Sequence, residues 1–334
     1  MLAYLIRRLI NAVLTLLAVT FVTFAIFFMV PKLTGSDPAL LYIGKNAGDK
    51  VALEGIRTKM GLDDPIIVQY GKFLKGLAVG RDYANGPDVT HCSAPCIGYS
   101  FKTEQEVTPL LMDDLPVTLS LALGAAVLWL IAGVATGVIS ALRRGTFLDR
   151  ATMTVALAGV SLPIYFTGLL ASAIFVYWLA WLPQGQYVPF TENPADWFVQ
   201  MLLPWITLAF LFAANYARLT RANMLETLGE DYIRTARAKG LPERVVIGKH
   251  GLRSGLTPIV TIFGLDLGTL LGGAVLTEAV FNLRGLGYQA LQAIKGSDLP
   301  VILGVTLIAA IFIVVANLVV DLVYGLIDPR VRLG

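Results

Sequence analysis

The sequence predicts an all-α membrane protein with six transmembrane helices. A long extracytoplasmic loop follows the first helix, and a substantial cytoplasmic loop lies between the fourth and fifth. Three observations lead there. Of 334 residues, 56% are hydrophobic and 15% charged, and the mean hydropathy is +0.71; a soluble domain carries about a quarter charged residues. Crossing about 30 Å of hydrocarbon takes about 20 mostly apolar residues, and runs of that length recur along the chain. Between the runs, Lys and Arg gather on alternate segments.

The first run, Leu9–Val30, follows Arg7 and Arg8 as a secretory signal would. It is too long for such a signal, and Pro31-Lys32-Leu33 offers no small-residue cleavage site. It is read as a retained span closing a first segment, 1–31. The remaining runs are Val117–Leu142, Met153–Trp181, Trp197–Ala217, Leu256–Val280 and Val301–Ile327. The third exceeds what a span requires and contains Pro163, which predicts a kink. No three-plus-three repeat of the kind found in many secondary transporters is visible.

Orientation follows from the short loops. With the N-terminus inside, the cytoplasmic pieces hold Arg7, Arg8, Arg143, Arg144 and Arg150, a cluster from Arg218 to Arg253, and finally Arg330 and Arg332. The short outer loops hold Arg284 and Lys295 alone. The long segment 32–116 has nine basic residues, but long loops translocate largely regardless of charge. Both termini are expected in the cytoplasm. In the outer segment, Val51–Val79 suggests one or two short amphipathic helices broken at Gly61 and Asp64-Pro65. The remainder, 117–334, forms the core with the inner loop 218–255.

That inner loop contains a self-contained helix. Glu230 and Asp231 sit where a first turn favours acids, Arg237 and Lys239 where a last turn favours bases. Gly240 suits the left-handed residue after a helix, and Pro242 prevents continuation. Small Ala236 and Ala238 would let a protein surface approach closely. Two readings stand: a helix docking on a partner, or one lying on the solvent or membrane surface.

Charges near the spans are fewer. Asp266 falls in the fifth run, Glu278 near its outer end and Asp321 in the sixth. A carboxylate at bilayer depth usually faces a protein interior or aqueous cavity, so Asp266 and Glu278 are candidates for a pathway or subunit interface. Alternatively, Asp321 snorkels and Glu278 lies at the surface beside Arg284. Gly264, Gly268, Gly272 and Gly273 permit close helix packing, between subunits or within the chain. Cys92 and Cys96 both lie on the outer side, where nearby cysteines oxidise. A short disulfide-closed turn is expected; a metal site with His91 and free thiols are the alternatives.

Other classes are excluded or unsupported. A formal net charge of +3 without a basic block gives no nucleic-acid surface. No Gly-x-x-x-x-Gly-Lys-Ser/Thr loop occurs, so the chain is not expected to bind ATP. His91 and His250, the only histidines, fall on opposite sides of the membrane, and no catalytic residue or resident metal is expected.

Glu230–Val260 resembles the cytoplasmic loop of ABC-importer permeases of the dipeptide/oligopeptide/nickel branch. There, Asp-Tyr-x-Arg-Thr-Ala-x-Ala-Lys-Gly-Leu is characteristic; here it is Asp231, Tyr232, Arg234, Thr235, Ala236, Ala238, Lys239, Gly240 and Leu241, with Arg237 in the variable place. His250, Leu252-Arg253-Ser254 and Pro258 continue the match, with Ser254 where Asn is usual. Tyr4–Leu9, Gly61–Tyr70, Leu115–Leu119, Gly264–Gly287 and Asp328–Arg332 resemble other parts of the family in the same order. Between Arg81-Asp82-Tyr83 and Gly98-Tyr99-Ser100 the chain departs from it by an apparent insertion that holds both cysteines.

The resemblance implies the type I ABC-importer permease fold in a bacterial inner membrane, with Asp231–Leu241 as the coupling helix. It implies a second homologous permease subunit, one or two ATPase subunits carrying ATP and Mg, and an extracytoplasmic binding protein or lipoprotein. The implied cargo is a di- or oligopeptide; nickel complexes and glutathione are carried by close relatives. A self-sufficient secondary transporter or channel is the rival class, which transport by the chain alone, without ATPase subunits, would reveal.

Overall fold

The computed structural model describes residues 2–33, 39, 54–55, 57–58, 61–85 and 88–327. The terminal Asp328–Arg332 stretch lies outside the described residues, as does the Asp321 side chain. The described chain is mostly helical. Four helices are long and apolar enough to cross a membrane: α1 (Leu2–Leu33), α3 (Val107–Leu142), α6 (Pro194–Gly229) and α13 (Leu299–Ile327). Two bent pairs bring the number to six if each is one span. The first joins α4 (Phe147–Ser161) to α5 (Ile164–Ser172) and the wide π-helical turn Ala173–Trp178, at a 101° bend. Pro163 sits at that break, so the expected kink is a sharp corner. The second joins Glu243–Gly255 to α10 (Thr257–Leu271) at 46°.

The chain divides into two compact units. The first comprises residues 1–116 and 285–314. Here the all-α expectation needs correction, because the segment between α1 and α3 contains two small antiparallel sheets. After the turn at Gly61 and the break at Pro65, α2 (Ile66–Val79) forms as expected. Then β1 (Arg81–Asn85) pairs with β2 (Asp88–Cys92), Arg81 opposite Cys92 and Tyr83 opposite Thr90. A second ladder joins β3 (Tyr99–Ser100) to β4 (Gln105–Glu106). Tyr83, Cys92, Cys96 and Tyr99 bury together, with Phe101 packed against them. Burial pushes the Tyr83 hydroxyl's pKa up, an effect the Arg81 charge opposes.

Cys92 and Cys96 are joined by a disulfide, their Cα atoms 5.6 Å apart, and His91 is held by Asp82 at 2.5 Å instead of facing the sulfurs. Closing so short a loop contributes about 2 kcal/mol on a chain-entropy account. Replacing both cysteines by alanine is therefore expected to speed amide exchange in Arg81–Cys92 by roughly 30-fold. Unchanged exchange would mean that the apolar cluster alone holds the hairpin.

The rest of this unit is built on α12 (Leu286–Gly296) and the start of α13. Leu286, Ala293, Val301, Val305 and Ile308 bury against Val107 and Leu111. Buried Asp298, just ahead of α13, accepts a hydrogen bond from the Ser100 hydroxyl, and the Lys102 ammonium reaches the Gly296 carbonyl. These contacts fasten the β3–β4 hairpin to the helix ends. Helix α3 begins ten residues before the expected span. Pro116 does not stop it, because the Met112 carbonyl that loses an amide partner belongs to an exposed residue.

The second unit holds residues 117–284 and 315–334. Its core gathers Leu121, Ala125, Trp129, Met201, Leu208 and Tyr216. Gly133 and Gly137 bring α3 against α6: a Cβ at Gly137 would stand 2.6 Å from the Ala217 carbonyl oxygen, and one at Gly133 2.6 Å from Tyr216 Cβ. Two glycines four apart permit this approach. Asn193 caps α6 by accepting from the amides of Ala195 and Asp196 at 3.1 and 3.2 Å, with Pro194 in the first turn.

Two expected boundaries change. Helix α6 continues twelve residues past Ala217, so the inner loop opens as helix rather than as loop. Thr220, Met224 and Thr227, one turn apart, bury the inner side of this extension. The fifth run is not one helix. It breaks after Leu271, where Gly273 adopts a φ of +126°, and resumes as α11 (Val275–Val280).

Candidate functional site

Thr227 and Gly229 end α6, and extended Glu230 (ψ 150°) redirects the chain into α7 (Asp231–Ala238). Asp231 lies in the first turn and Arg237 in the last. Gly240, at φ +75°, donates its amide to the Arg237 carbonyl at 2.9 Å and ends the helix. Helix α8 (Glu243–Val245) begins after Pro242, followed by the π-helical turn Val246–Gly251 and α9 (Leu252–Gly255). The Arg237 guanidinium grips Glu243 through two hydrogen bonds, 2.7 and 3.2 Å, tying α7 to α8.

Helix α7 has two faces, and one of them is seated in its own chain, which neither reading of the sequence gave. Ile233 is fully buried and Ala236 nearly so, packed with Val246 and Leu228. Ala236 therefore seats the helix rather than meeting a visitor. The exposed face carries Asp231, Tyr232, Arg234, Thr235, Ala238 and Lys239, with Leu241 beyond it. Arg234 reaches Asp231 at 3.4 Å.

A second constellation escaped the sequence reading. Asp149, in the first turn of α4, is buried and accepts both arms of Arg221 from α6, at 2.7 and 2.9 Å. The Ser140 hydroxyl donates to the same carboxylate, and the Gly145 amide reaches it at 2.9 Å. The end of α3, the connecting loop, the start of α4 and the α6 extension meet on one carboxylate. Such bidentate, charge-assisted contacts are strong and fix orientation. The available signal was that Asp149 is the single acid among Arg143, Arg144 and Arg150.

The pathway candidates separate. Asp266, half-buried on α10, accepts a hydrogen bond from the buried Tyr216 hydroxyl on α6 at 2.8 Å. Trp129 and Phe212 stack beside this pair at 4.7 Å between ring centroids. Glu278 is not the surface partner of Arg284 that one reading gave. It is fully buried in α11 and accepts from Thr118 of α3 at 2.8 Å. Gly268 is buried and Gly272 partly so. The neighbouring Gly264 faces the chain's own Val320: a Cβ there would fall 1.8 Å from its Cγ2. Asp266 thus belongs with Tyr216 and Glu278 with Thr118, while α7 and the Asp149–Arg221 lock sit on the polar extension of α6.

Residues 133–333 match the family described as binding-protein-dependent transport system inner membrane component, and residues 1–122 match the N-terminal part of such membrane components. The chain is 37% identical over 332 residues to a putative peptide transport system permease protein of Brucella abortus, covering 99% of both. It is 36% identical over 352 residues to a dipeptide transport system permease protein of Alkalihalophilus pseudofirmus, covering 99% of this chain and all of the relative. A di/tripeptide transport system permease protein of Pseudomonas aeruginosa is also 36% identical, with 99% of each covered.

Proposed function

Because the chain belongs to the family of binding-protein-dependent transport system inner membrane components, we propose that it is a permease subunit of an ATP-driven peptide importer. It is a multi-pass component of the inner membrane, crossing six times with each bent pair as one span and with both termini in the cytoplasm. It forms half a pathway, and a second, homologous permease subunit forms the other half. ATP and Mg belong to separate ATPase subunits, so this chain catalyses nothing itself. Cargo arrives from an extracytoplasmic binding protein, and the relatives' names favour peptides as that cargo.

The observation that carries this reading is the two-faced helix α7. Its apolar side is spent on Ile233 and Ala236, yet it holds Asp231, Tyr232, Arg234, Thr235, Ala238 and Lys239 outward on a fixed seat. A rigidly held polar face suits docking into a cleft of a partner ATPase, and its connection through α6 to the spans suits coupling. ATP then drives transport by favouring one state of the assembly through differential interaction energy.

Ala238→Trp tests this without disturbing the seat, since Ala238 is exposed. The variant is expected to reach the membrane normally, lose co-purifying ATPase subunits and cut ATP-dependent peptide uptake by about tenfold or more, the cost of a bulky misfit in a packed interface. Unchanged association and uptake would remove α7 from the coupling role.

A further inference from the structure

A groove of about 390 Å³ lies in the second unit where α3, α4 and α6 come together, and the coupling reading gives it no role. Ala132 and Thr136 of α3, Thr152 and Val155 of α4, and Phe210 and Ala214 of α6 line it. Ala132, Thr136 and Val155 are exposed, so it opens on the flank of these helices. Two contacts bracket its lining residues on α4. At one end Asp149 is locked to Arg221, and at the other a Cβ on Gly159 would stand 3.0 Å from that of Ala214. Helix α4 is thus pinned to α6 on either side, and six alanines among the ten lining residues are too short to fill the space between.

The lining makes no polar demand. The Thr136 hydroxyl donates to the carbonyls of Ala132 and Gly133 at 2.6 and 3.1 Å, and the Thr152 hydroxyl to that of Leu148 at 2.8 Å. A peptide's amides would find no partner here, and burying them unpaired is costly. What lies in the groove is therefore apolar. About a dozen water-sized groups fill its volume, the scale of one acyl chain. A helix with its side chains takes about 420 Å³ or more for a single turn, from a width of 10–12 Å and a pitch of 5.4 Å. The space suits a string of methylenes better than a helix.

Charge says what that string is attached to. On α3 the lining ends at Thr136, about 9 Å before the helix does, and on α4 it begins at Ala151, about 6 Å after the start. The corner between them carries Arg143, Arg144 and Arg150, all exposed, and exposed Arg218 stands one turn beyond Ala214 on the same side of α6. Among the described residues none of these four has an ion pair, and Asp149, the acid of this corner, is held by Arg221. Leu142, Phe147 and Leu148 are exposed among them, Phe147 by 86%. Apolar and cationic side chains together at a helix corner are the pattern of a membrane interface. We infer that the groove holds an acyl chain of an anionic phospholipid whose phosphate sits among Arg143, Arg144, Arg150 and Arg218. The inference needs the chain to lie in a membrane and does not depend on the peptide-import reading.

The test uses the full chain with its co-purifying subunits in phosphatidylcholine nanodiscs. Each preparation is doped with a photoreactive lipid, either phosphatidylglycerol or phosphatidylcholine, with a diazirine near the end of the same acyl chain. Labelled peptides are mapped by mass spectrometry. The phosphatidylglycerol probe is expected to label the groove segments of α4 and α6 about tenfold or more above the phosphatidylcholine probe, since several cations act on one headgroup. Replacing Arg143, Arg144 and Arg150 together by glutamine is expected to bring the two probes level. Ala132→Phe, which fills the groove from an exposed position, is expected to lower groove labelling by both. Absence of groove labelling in the wild-type assembly, as a helix of another subunit lying there would give, overturns the inference. So does equal labelling by the two probes, a preference that survives the triple replacement, or labelling that Ala132→Phe leaves unchanged. If the variants do not assemble, the wild-type comparison of the two probes still decides.

Discussion

Asp149→Ala is expected to reduce transport to background while the chain still inserts in the membrane. Four groups lose their common partner at once: both arms of Arg221, the Ser140 hydroxyl and the Gly145 amide. Arg221 keeps its charge in a mostly enclosed place, and an uncompensated buried charge is more damaging than a missing pair. The angle between the α3–α4 connection and the α6 extension is then no longer fixed, and α7 loses its reference to the spans. Arg221→Lys is expected to be milder yet impaired, because a lysine supplies a point charge without the fork. Exchanging the two residues should not rescue, since Ser140 and Gly145 need an acceptor where Asp149 stands. Vesicle uptake normalised to chain abundance is the measurement. Wild-type uptake by Asp149→Ala would show that the lock is dispensable.

Ile233→Asp should separate ATP hydrolysis from transport completely. Ile233 has no exposed surface and forms the centre of the cluster with Ala236, Val246 and Leu228. A carboxylate there costs about 3 kcal/mol or more, which exceeds what a helix of eight residues gathers from one small cluster. The outward face is then no longer presented, although none of its residues has changed. Ile233→Val removes one methylene, costs about 1 kcal/mol and is expected to keep nearly full coupling. ATPase activity and peptide uptake of the reconstituted assembly, measured together, give the comparison. Persistent coupling in Ile233→Asp would show that α7 works without its seat.

How much of this was legible in the sequence depends on how many residues carry each signal. The long spans rest on twenty or more apolar residues apiece, and their positions were read to within a turn or two except where helices extend beyond the bilayer length. The end of α7 was legible because Gly240 and Pro242 each act through backbone geometry that does not depend on neighbours. Its inner face was not, because the buried Ile233 and Ala236 alternate with the exposed apolar residues Tyr232 and Ala238 within only eight residues. The α6 extension was missed for a related reason. Its buried side uses Thr220, Met224 and Thr227, residues that look like an ordinary loop when hydrophobicity alone is weighed.

The outer hairpin shows a signal that was present but overridden. Gly86-Pro87, the dipeptide between the paired Asn85 and Asp88, is a turn signal in the sequence, yet the expectation of an all-helical chain left no place for it. Asp149 and Glu278 fall on the other side of legibility. A single carboxylate says nothing of its partners, and Arg221 and Thr118 lie 72 and 160 residues away in the chain. Such pairings arise from tertiary packing. The glycines of α3 occupy a middle ground, since the spacing of Gly133 and Gly137 is visible but the helix that approaches them is not.

The 36 residues of α6 span about 54 Å at 1.5 Å per residue, well beyond the hydrocarbon thickness. Such a rod converts angle into distance. Tilting it by about 10° around its midpoint moves the end that leads into α7 by about 5 Å, close to the pitch of one helical turn. A displacement of that size is a whole register step for a docked helix, reached without any residue in the membrane shifting by more than a fraction of it near the fulcrum. The same gearing runs in reverse, so a pull of a few ångströms on α7 asks for a rotation in the bilayer that closely packed helices accommodate by rolling on their small-residue contacts.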